Sequence, residues 1–419
     1  MRFTILRRFR RAFVFLGILG PGVVSAVAGD DAGGIGTYSV VGARFGYELL
    51  WVMVIITPLL AVVQEMVMRV SVVTGKGLSD LIREQFGVRT TALAMFTLLV
   101  ANLGVTISEF VGIAAAAELL GVTRYFAVPA AAIFVWYVVA RGNYKRAERV
   151  FLALSCVLLT YVISAIVVQP DWGQVAIGTL VPRIHFDTSS LLLVIAVIGT
   201  TISPYMQFTL SATIVDRAVQ PDEYKSELIE TLLGVLLSCG FAYFIIVATG
   251  ATLNPHGITE IESADQAARA LEPIAGGLAG QLFAIGLLGA SLLAASILPL
   301  STTFAICEAF GWERGVNNSW NDAPVFYGIY TTLIMIGALI ALIPGVPIFL
   351  IFLLVYQLNG FLLPVLLVLM LRLANDRRLM GDHVNGRVAN WLGWGTVVII
   401  IVLTAMLFAS PILQSLKLI

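Results

Sequence analysis

Apolar residues run through the chain in stretches of twenty or so, separated by short polar segments, and a stretch of about 20 is what a helix needs to cross a hydrocarbon core. The runs fall near 12–41, 48–72, 91–120, 126–140, 148–168, 190–215, 228–252, 276–308, 324–344, 347–371 and 390–415. They predict about eleven helical spans and an all-α membrane protein. Between the ninth and tenth runs, Ile343-Pro344-Gly345-Val346-Pro347 reads as a turn.

Two runs are interrupted. In the first, Gly29-Asp30-Asp31-Ala32-Gly33-Gly34-Ile35-Gly36 puts adjacent carboxylates and glycines where a span should be most apolar. A charge at mid-membrane costs at least about 2.5–3.5 kcal/mol on insertion scales, and each glycine weakens a helix by about 1 kcal/mol relative to alanine. Unwound backbone survives at that depth only where protein or a watery cavity surrounds it, and its carbonyls with a carboxylate make an oxygen-rich cation site. In the sixth run, Gly199-Thr200-Thr201-Ile202-Ser203-Pro204-Tyr205-Met206-Gln207 should part at Pro204, which lacks an amide donor and disfavours helical geometry at Ser203. Breaks in spans one and six are what an inverted five-plus-five repeat requires, each half giving one discontinuous helix to a shared site. Carbonyls near Ala28 and Thr200 and the hydroxyls of Thr201 and Ser203 would then face Asp31.

Composition agrees with membrane residence: 59% hydrophobic, 12% charged, mean hydropathy +0.95. The net charge of zero gives no basic excess for nucleic acid, and Cys156, Cys239 and Cys307 lie in apolar runs without metal-ligand spacing. The basic start and Ala26-Val27-Ala28 also fit a cleaved leader, but Gly20-Pro21-Gly22 interrupts its apolar part, and the further spans need none. Lys and Arg concentrate on alternate segments: Arg2 to Arg11, Lys76 to Arg89, Arg141 to Arg149, Arg217 and Lys225, Arg314, and Arg372 to Arg387. That bias predicts a multi-pass protein of the plasma (inner) membrane with a cytoplasmic N-terminus. The loop 253–275 holds a short helical pattern over 263–271 and reads as a solvated connector; 375–390 reads as a flexible inner connection.

These residues resemble the Nramp divalent-metal transporter family. The likeness runs through Gly20-Pro21-Gly22, Asp31-Ala32-Gly33-Gly34 in the place of an Asp-Pro-Gly-Asn motif, Gly42-Ala43-Arg44-Phe45-Gly46-Tyr47-Glu48-Leu49-Leu50-Trp51, Gln64, Arg69, Val73-Thr74-Gly75-Lys76 and Glu109-Phe110-Val111-Gly112. It implies a LeuT-like inverted repeat in one transmembrane domain over 1–419, with repeat one at 12–168, repeat two at 190–371 and an extra helix at 390–415. It also implies metal ligation by Asp31, Ala28, Thr200 and Ser203 with Gly34 alongside. Gly34 replaces the motif's asparagine, and Ser203-Pro204-Tyr205 replaces Met-Pro-His. Oxygen-only donors suit hard cations, and Mg²⁺ keeps several waters. The likeness is greatest to the magnesium-carrying branch, which implies uptake of Mg²⁺ and also Mn²⁺ without proton coupling.

Coupling bears a second reading. His185, His256 and His383 all lie in loops, and Tyr205, Leu210 and Thr106 stand where the family has titratable groups. Glu109 remains, as a relay or as a helix-helix hydrogen bond. Asp30, Thr201, Tyr205, Glu65 and Gln357 are further pathway candidates, though Glu65 has Arg69 four residues on; Gln357 and Asn359 are candidate water-mediated ligands that could instead bond neighbouring helices, and Met206 is expected to pack. The expected partners are a divalent metal ion as cargo and the bilayer; no cofactor is implied, and a monomer is expected. The rivals are a proton-coupled Mn²⁺/Fe²⁺ importer, an amino-acid carrier, which the paired acids disfavour, and a metal sensor without transport. No HExxH, GxSxG or phosphate-loop pattern suggests an enzyme.

Overall fold

The computed structural model describes residues 31–140, 160–183, 187–315, 320–345 and 347–415, with side chains through 407. Ala28, Asp30 and most of the first and fifth predicted spans lie outside them. The principal helices are α1 (Ala32–Phe45), α2 (Leu50–Thr74), α3 (Leu78–Leu119), α4 (Arg124–Ala140), α5 (Thr160–Val167), α6 (Trp172–Leu180), α7 (Thr188–Thr201), α8 (Pro204–Asp216), α9 (Tyr224–Thr252), α10 (Ala279–Phe310), α11 (Pro324–Ala341), α12 (Ile348–Asn375) and α13 (Arg387–Ser415). Among the described residues, eight helical stretches are long and apolar enough to cross a membrane, and α4 is a shorter apolar helix.

Gly75 and Gly311, both at positive φ, close α2 and α10, because a left-handed residue lets the last carbonyls bond back. Gly345, at φ 75°, turns the chain between α11 and α12, so the Pro-Gly run separates two helices. α3 begins thirteen residues before the predicted 91. Its first turns carry Asp80, Arg83, Glu84 and Gln85, too polar to read as a span, and Gly87 at φ 74° bends them away from the apolar remainder. α6 was not expected; its nine residues are too few to cross, and Asp171 caps it by accepting from the Gly173 and Gln174 amides.

The helix pairing obeys a two-fold exchange. α3 and α10, the third and eighth spans, make the most extensive contact, α1 packs on α9, and α8 packs on α2. Exchanging spans one with six, two with seven and three with eight maps these pairs onto one another. Glycines bring the backbones together. A Cβ on Gly42 would stand 2.4 Å from the Ile246 carbonyl of α9, and one on Gly199 would stand 2.1 Å from the Tyr356 carbonyl of α12.

Two connections differ from expectation. The loop before α10 does contain helix, Ala264–Ala268 followed by Arg269–Leu271, with Ser263 as its cap. It is a packed cap, not a solvated connector: Ala267, Ala270 and Leu271 are buried, and the Ser164 hydroxyl donates to the Ala270 carbonyl at 2.5 Å. The 375–390 connection is fastened. Asn375 and Asn390 exchange amide hydrogen bonds of 2.7 and 2.8 Å, and Asn385 donates its backbone amide to the Ala374 carbonyl at 3.0 Å.

Candidate metal site

Asp31 is the pivot of the first interruption. Its backbone is extended (φ −72°, ψ 176°), the helix starts at the next residue, and its Oδ1 accepts the Gly34 amide at 2.8 Å. The first amides of any helix lack intrahelical partners and favour negative charge. A second carboxyl meets the same helix end: Glu109 Oε2 accepts the Ala32 amide at 3.3 Å. Glu109 comes from α3, where Gly112 one turn later leaves room for α1, since a Cβ there would lie 2.6 Å from that of Ala32. Both acids are buried, at 1% and 0% exposure.

A tyrosine completes this corner. The Tyr356 ring lies on α1 so closely that a Cβ on Gly33 would be 2.4 Å from its Cε2, and its hydroxyl stands beside the Asp31 carboxyl. Tyr205 packs against Tyr356, as does Met206, the latter among Val105, Ala294 and Leu298 in the packing role expected of it. Gln357, one of the two span-ten residues singled out in the sequence together with Asn359, is turned about 100° from Tyr356 around α12. It makes no hydrogen bond to the described residues. Tyr356 was not singled out by the sequence; in the fold, Phe352, Tyr356, Asn359 and Leu363 form one fully buried stripe at helical spacing, and Gly360 on the same side meets Gly199.

The second interruption is where Pro204 put it. α7 ends at Thr201, α8 starts at Pro204, and Ser203 between them is extended. The carbonyls here are not free as expected, because the Ser203 hydroxyl donates toward Gly199 O at 3.0 Å and Thr200 O at 3.2 Å. Thr201 donates to Val197 O, so the Tyr38 hydroxyl, 2.9 Å away, donates to Thr201 and ties α1 to the break. Several buried polar atoms have no hydrogen-bond partner among the described residues: Asp31 Oδ2, Thr200 Oγ1 and both amide atoms of Gln207 and of Asn359. Leaving such a group unpaired costs about 1–3 kcal/mol. Gln207 was not singled out as a site residue by the sequence, where one amide in an apolar helix carries no distinguishing pattern.

Glu65 stands apart from this corner. It pairs with Arg69 at 2.7 Å, the ordinary reading of that spacing, and accepts the Tyr224 hydroxyl at 2.5 Å. Arg69 also donates to the His383 carbonyl and to Asn385 Oδ1.

Comparison with known proteins decides the family. The model of the natural resistance-associated macrophage protein-like (Nramp) family matches residues 22–410. The chain belongs to the Nramp family. It is 26% identical over 413 residues to the divalent metal cation transporter MntH of Yersinia enterocolitica, covering 95% of this chain and 96% of that one. The Klebsiella pneumoniae MntH is 25% identical, covering 96% and 95%. Among solved structures, the manganese transporter of Eremococcus coleocola aligns with a TM-score of 0.76 at 22% identity, over 94% of this chain and 86% of that one. The nucleobase-cation-symport-1 transporter Mhp1 aligns at 0.55 and 13%, over 94% and 91%, which marks the LeuT-like fold. This Nramp chain is therefore an integral, multi-pass membrane transporter of metal ions and not an enzyme.

Proposed function

We propose that this Nramp protein imports divalent metal cations, Mn²⁺ first among them, in a proton-coupled cycle. The observation that carries the reading is the meeting of Asp31 and Glu109 at one buried helix end. Two carboxylates match the charge of one divalent cation. Without the cation, two adjacent buried negative charges would be costly, so protons replace it. The curated relatives are divalent metal cation transporters and a solved neighbour is a manganese transporter. They favour manganese, and neither a magnesium preference nor the absence of coupling finds support among them.

The ion would sit between the start of α1 and the α7–α8 break. Asp31 Oδ2 and Thr200 Oγ1, both unpaired among the described residues, supply oxygen, with Ser203 and the Ala28 carbonyl as further donors. Gly34 gives no side-chain ligand and serves by orienting Asp31 through its amide. Thr201 and Tyr205 hold the surroundings, and Asp30 stays a pathway candidate. A cytoplasmic N-terminus remains the orientation that the basic residues favour.

One observation keeps a second cargo, Mg²⁺, compatible with the site. The donor set is all oxygen, and the nearby thioether of Met206 is committed to packing. Oxygen sites serve Mg²⁺ and Mn²⁺ alike.

Proteoliposomes loaded with a pH dye test both. Mn²⁺ uptake should be accompanied by a matching pH change. Asp31→Asn should abolish uptake, since asparagine keeps the helix cap and removes the charge. Undiminished uptake by Asp31→Asn would sink the assignment, and uptake of either ion without any pH change would return the reading to uncoupled transport.

A further inference from the structure

We infer that the groove between the bend of α3, the end of α12 and the start of α13 binds the headgroup of a zwitterionic aminophospholipid. The groove encloses about 620 Å³, and its charged lining is one arginine and one aspartate, Arg372 and Asp376. They are four residues apart, and neither forms an ion pair with the other or with any described residue. Asp376 lies just past the end of α12 on extended backbone (φ −78°, ψ 108°), so helical i, i+4 spacing does not bring it to Arg372. Here both remain available to a ligand carrying the complementary pair, a phosphodiester for the guanidinium and an ammonium for the carboxylate.

The walls are built. Asn375 and Asn390 lock α12 to α13 through their reciprocal amide bonds, and Asn385 adds a third at 3.1 Å. Asp376 is fixed because one of its oxygens accepts the Arg378 amide at 2.8 Å. The rings of Phe86 and Trp394 line the groove beside these polar groups. Arginine with tryptophan at the end of a span is the composition of a membrane–water boundary.

The flanking surfaces say that the ligand has acyl chains. Val88, Leu93 and Phe96 on α3 and Val388, Trp391 and Val398 on α13 are half or more exposed. In a membrane protein such residues face lipid, and they leave the groove on both sides. A net anionic headgroup would meet Asp376, and a choline headgroup offers no N–H to a carboxylate or amide oxygen. Ethanolamine meets both requirements.

The test uses the purified full-length transporter in detergent, with melting temperature and retained lipid measured against dioleoyl phosphatidylethanolamine, phosphatidylcholine and phosphatidylglycerol. Phosphatidylethanolamine should bind about tenfold more tightly than the other two, the weight of one hydrogen bond to a charged group. Asp376→Asn, which preserves the helix cap, should erase that preference. Arg372→Gln should weaken all three lipids. Both variants should melt like the wild type in lipid-free micelles, which controls for folding. Equal binding of the three lipids, or a preference unchanged by Asp376→Asn, would overturn the inference. So would glycerophosphoethanolamine binding as tightly as the lipid, since the groove would then serve a soluble zwitterion.

Discussion

Glu109 and Asp31 converge on one helix end, and their roles separate by experiment. Glu109→Gln keeps an acceptor for the Ala32 amide while removing one negative charge. In proteoliposomes this variant should still take up Mn²⁺, more slowly, with the pH change lost; an unaltered pH change would remove Glu109 from the exchange. Gly199 makes a sharper structural case. The atoms a Cβ would meet there are backbone, Tyr356 O at 2.1 Å and Gly360 N at 2.5 Å, and backbone cannot swing aside. Gly199→Ala should cost about 1–3 kcal/mol or more through overpacking. Gly240 in α9 has nothing within 4 Å of its Cβ position, so Gly240→Ala should gain about 0.5–1 kcal/mol from helix propensity alone. Melting temperatures of the two variants in one detergent should move in opposite directions.

At the level of elements, a side-chain hydrogen bond from Tyr38 to Thr201 joins α1 to the break between α7 and α8. In a double-mutant cycle, Tyr38→Phe and Thr201→Val should show a coupling of about 0.5–1.5 kcal/mol, read from thermal unfolding. Additive losses would show that the bond does not tie α1 to the break. The break itself was legible in the chain, because Pro204 removes a donor wherever it lies. The seat of Glu109 was not. A glutamate in an apolar run looks the same whether it caps another helix or bonds a neighbour, and only the approach of α1 over Gly112 distinguishes the two.

For the whole molecule, Arg69 fastens α2 to the connection between α12 and α13. It holds Glu65 on its own helix, and through it Tyr224 of α9, while reaching Asn385 and the His383 carbonyl. Arg69→Met should destabilise by about 1.5–3 kcal/mol, more than Glu65→Gln, since it strands Glu65 on α2 and both acceptors on the connection at once. Denaturant or thermal midpoints for the two variants would check the order. A flexible connection at 375–390 was the natural expectation from its polar and glycine content, yet its asparagines pair with one another and with Arg69. Composition reports that a segment is polar; it cannot report whom those polar groups will meet.

The succession of apolar runs, the acids in the first and the proline in the sixth were enough to determine an all-helical membrane fold, the start of α1 at Asp31 and the break at Pro204. That follows because the bilayer forces each span to satisfy its own backbone, so span length and breakage are local properties of the chain. The company kept by each side chain was decided only by tertiary packing. Tyr356 stands at Asp31 in place of its neighbour Gln357 because Gly360 and Gly199 set the rotation of α12 against α7, and Glu109 reaches α1 because Gly112 admits it. Contacts between helices far apart in sequence depend on distance and rotation, and neither is written in the order of residues along one span.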